Sequence, residues 1–303
     1  MSYSKLLVVL NPEENNQPVI QRARLLAQRY GAAVHLFVAD YSSALERAYL
    51  FDRQGFEEAR AGYIKGRERW LEEQAEDLHK EGVEVSTAVH WAKPLYEAVK
   101  REAEAIGADL VVKTTHHHSA LARVLLTPGD WHLIRELSIP LLLVREIMWE
   151  DHIRLAACVD PTHEHESDTG DSSRDERILE TSHDLAVQLP AELHVIHACE
   201  PMPTGLVPEF DALMVDMDSL RGEIRDTHQK ALDALLENRV ESTTMVHFEE
   251  GPAETVIPET VKREAIDLVV LGAVSRTGLD RLLIGSTAER VMDLVDADLL
   301  ILW

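Results

Sequence analysis

Gly272, Ser275, Gly285, Ser286 and Thr287 fall within one stretch, VVLGAVSRTGLDRLLIGSTAERV (Val269–Val291). Residues of these types at this spacing can hold an anion. A glycine directly after a short apolar run lets the backbone turn sharply and lets a ligand approach it closely. The second glycine precedes two hydroxyl residues and an amphipathic run, the pattern of a helix N-terminus. The first amides of such a helix lack intrahelical carbonyls and attract negative groups, with help from the helix dipole. The hydroxyls of Ser286 and Thr287 either cap the helix or donate to the anion. A turn glycine plus a serine cap, with no ligand at all, has the same spelling. No Gly-Lys-Ser/Thr follows, so the stretch is not a Walker A loop.

Other residues could complete such a site. Asp160, after the run RLAACV, can accept from an adenine amine or a ribose hydroxyl, and Val195, in LHVIHA, can wall a base. Arg276 and Arg281 can neutralise phosphate or form surface ion pairs. The tract His116–His118 and the alternation THEHES (Thr162–Ser167) suggest metal only weakly, because neighbouring loop residues rarely converge on one ion. No Ser-His-Asp arrangement, paired carboxylates or HExxH is evident, so a dedicated hydrolase is not expected and any phosphate hydrolysis would be slow at most.

The elements that must position these residues come in two copies. KLLVVLNP (Lys5–Pro12) matches RLAACVDP (Arg154–Pro161), and AAVHLFVA (Ala32–Ala39) matches AELHVIHA (Ala191–Ala198). DLVV recurs at Asp109 and Asp267, and from there the spacing holds without a gap to PLLLV (Pro140–Val144) and DLLIL (Asp298–Leu302). The repeat is domain-sized. Short apolar runs alternate with helical patterns, and such alternation implies a parallel sheet covered on both faces. Strands are expected near 5–10, 33–39, 83–90, 109–113 and 140–144, then near 154–159, 191–198, 243–249, 267–271 and 298–302. Helices are expected near 17–30, 56–81, 94–106 and 128–137, then near 174–189, 218–237, 252–265 and 286–296. Gly82 should stop the second helix and Pro258 should kink or shorten the seventh. The fold class is therefore α/β, two tandem Rossmann-like domains of five parallel strands at 1–147 and 152–303. Ligands in such sheets sit beyond the carboxyl ends of the strands.

With 30 Lys and Arg against 54 Asp and Glu, the formal charge is −24. That field disfavours nucleic acid and anionic membranes as partners. No apolar run approaches the roughly 20 residues of a membrane helix. Two cysteines, Cys158 and Cys199, lie in apolar runs without a CxxC and read as reduced thiols of a cytoplasmic protein.

These motifs together resemble the universal stress protein family, and the duplicated layout resembles its tandem E type. Nucleotide-binding members carry Gly–x2–Gly–x9–Gly–Ser/Thr after the fourth strand, which Gly272, Ser275, Gly285 and Ser286 match with serine in place of the second glycine. The aspartate after the first strand matches Asp160, and the second-strand pattern matches Leu193–Ile196. The resemblance implies an ATP-type site in the second half, with Mg²⁺ accompanying the phosphates, and a regulatory role in stress physiology. A non-glycine residue at 275 is costly if the site needs positive φ there. In the first half Thr114, His117, Thr127 and Pro128 stand where Gly272, Ser275, Gly285 and Ser286 do, and Asn11 replaces Asp160, so that ATP-type site is expected to have decayed. The tandem pair would imitate the homodimer of single-domain relatives, and the chain itself could dimerise. The alternatives are an interaction module without nucleotide, or a pocket for a nucleotide-sugar or acylated metabolite.

Overall fold

The computed structural model describes residues 3–49, 53–115, 117–118, 123–124, 126–162, 173–200, 217–272, 274–275 and 283–303. Two compact units emerge, one comprising Ser2–His117 and Leu125–Met148, the other built on Trp149–Trp303.

In the first unit the strands are β1 (Lys5–Val9), β2 (Ala33–Asp40), β3 (Val85–Trp91), β4 (Leu110–Thr114) and β5 (Leu141–Val144). All pair in parallel, in the order β3-β2-β1-β4-β5. The helices are α1 (Gln17–Tyr30), α2 (Ser43–Tyr49), α3 (Arg53–Lys80), α4 (Leu95–Ile106) and α5 (Pro128–Glu136). The central strands are apolar along their whole length because helices cover both faces: Leu6, Leu7, Val8, Val111 and Val112 are all inaccessible to solvent. Gly82 follows α3 at φ +80°, a conformation that ends a helix and strains any residue with a Cβ. The sequence pattern did not anticipate α2.

The second unit repeats the plan with β6 (Arg154–Cys158), β7 (Glu192–Cys199), β8 (Met245–Glu250), β9 (Leu268–Gly272) and β10 (Asp298–Leu302). The order is β8-β7-β6-β9-β10, again all parallel. Its helices are α6 (Arg174–Gln188), α7 (Met217–Leu236), α8 (Ala253–Arg263) and α9 (Ser286–Leu294). Pro258 lies inside α8, which continues through it to Arg263.

The repeated DLVV owes its aspartate to the sheet. Asp109 accepts from the Ser4 amide (2.7 Å), the Ser4 hydroxyl (2.6 Å) and the Lys5 amide (3.1 Å), stapling the start of β1 to β4. Asp267 does the same for β6, accepting from the Arg154 amide at 2.8 Å. The strand order reverses between β1 and β4 and again between β6 and β9. A doubly wound sheet opens its ligand crevice at that reversal, beyond the carboxyl ends of the strands.

Candidate functional site

In the second unit β6 and β9 lie side by side, with Val270 opposite Ala157, so their carboxyl ends bring Asp160 and Gly272 to one edge. Gly272 closes β9 as an extended residue and has no positive φ; what it supplies is space. A Cβ there would come within 2.3 Å of Arg174 Cδ, so the arginine side chain lies across the end of the strand. Arg174 is held in place by its helix. Ser173 caps α6 and exchanges a reciprocal pair of hydrogen bonds with Glu176, a capping box legible as Ser-x-x-Glu.

Ser275 is extended as well. Val274 and Ser275 pair antiparallel with Ile284 and Leu283, a two-residue ladder that returns the chain to Gly285 two residues after Ser275's partner. Position 275 thus carries no left-handed strain, contrary to the concern raised by its missing glycine. The N-cap of α9 is Gly285 (φ −65°, ψ 142°), not a serine, and no side chain among the described residues caps the helix. Ser286 and Thr287 are exposed in the first turn. Glu289 is the first residue whose amide reaches a carbonyl in the helix, Gly285 O at 3.0 Å.

Asp160 is exposed and tied into a polar chain. Its amide donates to Asp175 (3.1 Å), and Thr162 Oγ1 donates to its carboxylate (2.9 Å). Thr162 also approaches His228 Nδ1 (3.4 Å), which in turn lies 2.8 Å from His197 Nε2. His197 Nδ1 faces the Val159 carbonyl at 3.0 Å. A carbonyl only accepts, so Nδ1 of His197 carries the proton, its Nε2 accepts, and His228 Nδ1 donates. Val195 is fully buried on β7, on the same face as His197 two residues further toward the carboxyl end. The histidine pair therefore stands between Val195 and the strand ends where the other candidates gather.

The same edge of the first unit differs at each point. Thr127 caps α5 with its hydroxyl, Asp130 completes a capping box, and Pro128 occupies the first helical position. Asp130 accepts from the Thr127 amide and hydroxyl, both at 2.8 Å. Its other oxygen lies 2.9 Å from Lys113 Nζ, at ion-pair distance though not at a hydrogen-bonding angle. Here the helix N-terminus is filled by the chain's own carboxylate.

Among the described residues, His194, His247 and Glu264 bring ligand-type atoms within 4.8 Å of one another. The two rings lie nearly in one plane (2°), with centroids 5.2 Å apart and His194 Nδ1 2.9 Å from His247 Nε2. They therefore meet edge to edge, the geometry of an N–H···N hydrogen bond, with no room for an ion between those nitrogens. Burial, and then His247, lower the pKa of His194; burial, and then His197, lower that of His228.

Several sequence candidates lie outside the described residues: Arg276, Arg281, His116, and His163 to Ser167 of THEHES. Trp131 is half-buried with Arg135 5.6 Å over its ring. Cys158 and Cys199 are buried free thiols. Arg174, His197 and His228 were missed. The capping box was a readable sign for Arg174's helix position, and a histidine inside an otherwise apolar strand signals a buried polar group in need of a partner.

Two successive doubly wound α/β domains, each with a strand-order reversal beside its first strand, define a tandem parallel-sheet protein. The chain belongs to the Universal stress protein family, whose profile matches residues 2–145 and 168–302. It is 32% identical over 304 residues to Universal stress protein E of Escherichia coli K12, covering 99% of this chain and 94% of the relative. It is 28% identical to the Universal stress protein E homolog of Haemophilus influenzae, covering 99% and 97%. Among solved structures, a functionally unknown protein from Pseudomonas aeruginosa PAO1 superposes with a TM-score of 0.73 at 27% identity, covering 99% of this chain and 92% of that one. A universal stress protein from Archaeoglobus fulgidus shares the fold at a TM-score of 0.65 and 14% identity, with 98% and 97% covered.

Proposed function

We propose that the protein is a nucleotide-responsive regulator whose C-terminal domain binds ATP or a related adenine nucleotide with Mg²⁺. The observation that carries this reading is the contrast between two equivalent helix starts. In α5 the first turn is closed by Thr127, Pro128 and Asp130, whereas in α9 it is uncapped and exposed. Free amides there, with Ser286 and Thr287 hydroxyls and the ladder through Ser275, suit phosphate oxygens. Arg174 brings its side chain to the same edge, beside Gly272. Asp160 would be the carboxylate that meets a ribose hydroxyl or a base amine, while Val195, fully buried beneath the His197–His228 pair, would support that wall only from behind. In this reading ATP turnover is slow at most. Mg²⁺ would travel with the phosphates.

Arg174 also favours a second reading. Its side chain already covers the end of β9, as it would in an interaction or dimerisation module that dispenses with nucleotide. Calorimetry with ATP–Mg²⁺ and ADP separates the two: heat that disappears in Gly285→Asp supports the first, and no heat from either nucleotide supports the second. We further assign a cytoplasmic location, supported by two buried free thiols, with neither nucleic acid nor membrane as partner. No helix among the described residues is long and apolar enough to cross a membrane.

A further inference from the structure

His194 and His247 lie in the amino-terminal halves of β7 and β8, away from the carboxyl ends where the nucleotide candidates gather, and Glu264 is the C-cap of α8. We propose that these three residues bind one zinc-class transition-metal ion, which replaces the proton now shared by the two rings. The inference stands independently of the nucleotide reading of the C-terminal domain.

Two imidazoles and a carboxylate are a common donor set for Zn²⁺, with a fourth position left to water, whereas Mg²⁺ takes oxygen ligands. The three side chains bring ligand-type atoms within 4.8 Å of one another. In the hydrogen-bonded pair the rings meet head-on, His194 Nδ1 standing 2.9 Å from His247 Nε2. Two nitrogens on a tetrahedral ion, each about 2.0–2.1 Å from it, stand about 3.3 Å apart with their lone pairs converging. The ion therefore enters only when His247 turns aside toward Glu264. His247 is placed for that movement, half-buried on the outermost strand of its unit. His194 is fixed by comparison, with 1% of its surface exposed, and its Nδ1 is uncovered by the turn of its partner.

The far side of the His194 ring carries the second observation. Nε2 is buried without a hydrogen-bond partner among the described residues, and Glu192 Oε1 lies 3.6 Å from it. When Nδ1 ligates a metal, Nε2 must hold the proton, and a ligating histidine characteristically donates that proton to a carboxylate that fixes the ring. Glu192 is that carboxylate, with its other oxygen 3.4 Å from Arg154 Nε. Nε2 thus gains an acceptor and is not itself asked to reach the ion. On the metal side, Arg263 Nε donates to Glu264 Oε1 at 2.9 Å, which lowers the Glu264 pKa and keeps the carboxylate charged. The ion would take the second oxygen, beside the last carbonyls of α8, which favour a cation.

The first unit uses the equivalent histidines differently. His35 and His90 occupy the repeat positions of His194 and His247, and Glu102 of α4 stands between them, 2.9 Å from His35 Nε2 and 3.4 Å from His90 Nε2. Ser86 Oγ lies 2.7 Å from His35 Nδ1. In the second unit Thr260 takes the place of Glu102, so the two rings are left to each other and the nearest carboxylate comes from the next turn of the chain, at Glu264. The contrast confines the proposed site to the C-terminal domain.

The test is calorimetry of Zn²⁺ with the full chain after EDTA treatment and dialysis. The background carries His116→Gln, His117→Gln, His118→Gln, His163→Gln and His165→Gln, so that loop histidines do not contribute. One Zn²⁺ should bind per chain, more tightly as pH rises from about 6 to about 8, because the ion competes with protons for imidazole. His247→Gln and Glu264→Gln should each weaken binding at least tenfold with the circular dichroism of the fold retained. Glu192→Gln, which touches only the far nitrogen, should weaken it by about tenfold or more. Co²⁺ should give the visible absorption of a four-coordinate nitrogen and oxygen site, and His247→Gln should remove it. No heat from Zn²⁺ overturns the proposal, and so does binding that is indifferent to both His247→Gln and Glu264→Gln.

Discussion

Gly272 and Arg174 share one space: a Cβ on the glycine would stand 2.3 Å from Cδ and 3.0 Å from Cγ of the arginine. The glycine that reads in sequence as a turn residue is an extended strand end whose missing side chain makes room for a guanidinium stem.

Gly272→Ala should therefore displace Arg174 and destabilise the domain by about 1–3 kcal/mol, the cost of overpacking. Arg174→Ala in the same chain should recover part of that loss, because the two changes act on one contact and are not additive. Urea denaturation of the single and double variants measures it. If Arg174 serves phosphate, each single variant also loses about tenfold or more in ATP affinity, equivalent to about 1.4 kcal/mol.

Gly285 has no positive φ, and no described residue lies within 4 Å of a Cβ built there. Gly285→Asp should fold and, by capping α9, gain a few tenths of a kcal/mol. Its carboxylate would compete with phosphate for the same amides, so ATP heat should vanish while thermal stability holds or rises. Unchanged ATP binding would remove α9 from the site.

Lys113 and Asp130 form a buried pair, with side chains 9% and 0% exposed. Lys113→Met leaves a buried carboxylate without its cation and should cost about 3–5 kcal/mol. Lys113→Met with Asp130→Asn should cost less than Lys113→Met alone, because no lone charge remains. Denaturant midpoints followed by circular dichroism report the order of the three proteins.

The histidine pairs predict a pH dependence. His194 and His228 have folded pKa values below their ordinary one, burial being the larger cause. Such a group stays neutral in the fold while the unfolded chain takes up a proton. Its stabilisation is full above about pH 6.5 and is lost as pH falls through that value toward the folded pKa. Comparing urea midpoints at pH 7.5 and 5.5, His194→Gln and His228→Asn should each show a smaller drop than the parent protein. An undiminished drop in both would rule out these groups as its source.

Burial pushes the Cys158 thiol up to about 12 and raises that of Cys199. Thiolate is the reactive form, so neither should be alkylated by iodoacetamide at pH 8 in the native protein, and both should be alkylated in urea. Mass spectrometry counts the adducts.

The sequence alone determined the duplication, the strands, every helix but α2 and the parallel sheets, because apolar periodicity and turn chemistry are local properties that survive without coordinates. The DLVV repeat and the glycine after α3 were legible for the same reason. Folding decided what each candidate faces. Gly272 and Arg174 are 98 positions apart in the chain, and Val195 lies behind a histidine pair whose first member is on the same strand and whose second is on helix α7. The first domain looked vacant because its phosphate-type residues are gone. Its cavity of about 360 Å³ exists only once β1, β2 and β4 end at one edge. Contacts between residues distant in sequence depend on packing, and no spacing rule along the chain encodes them.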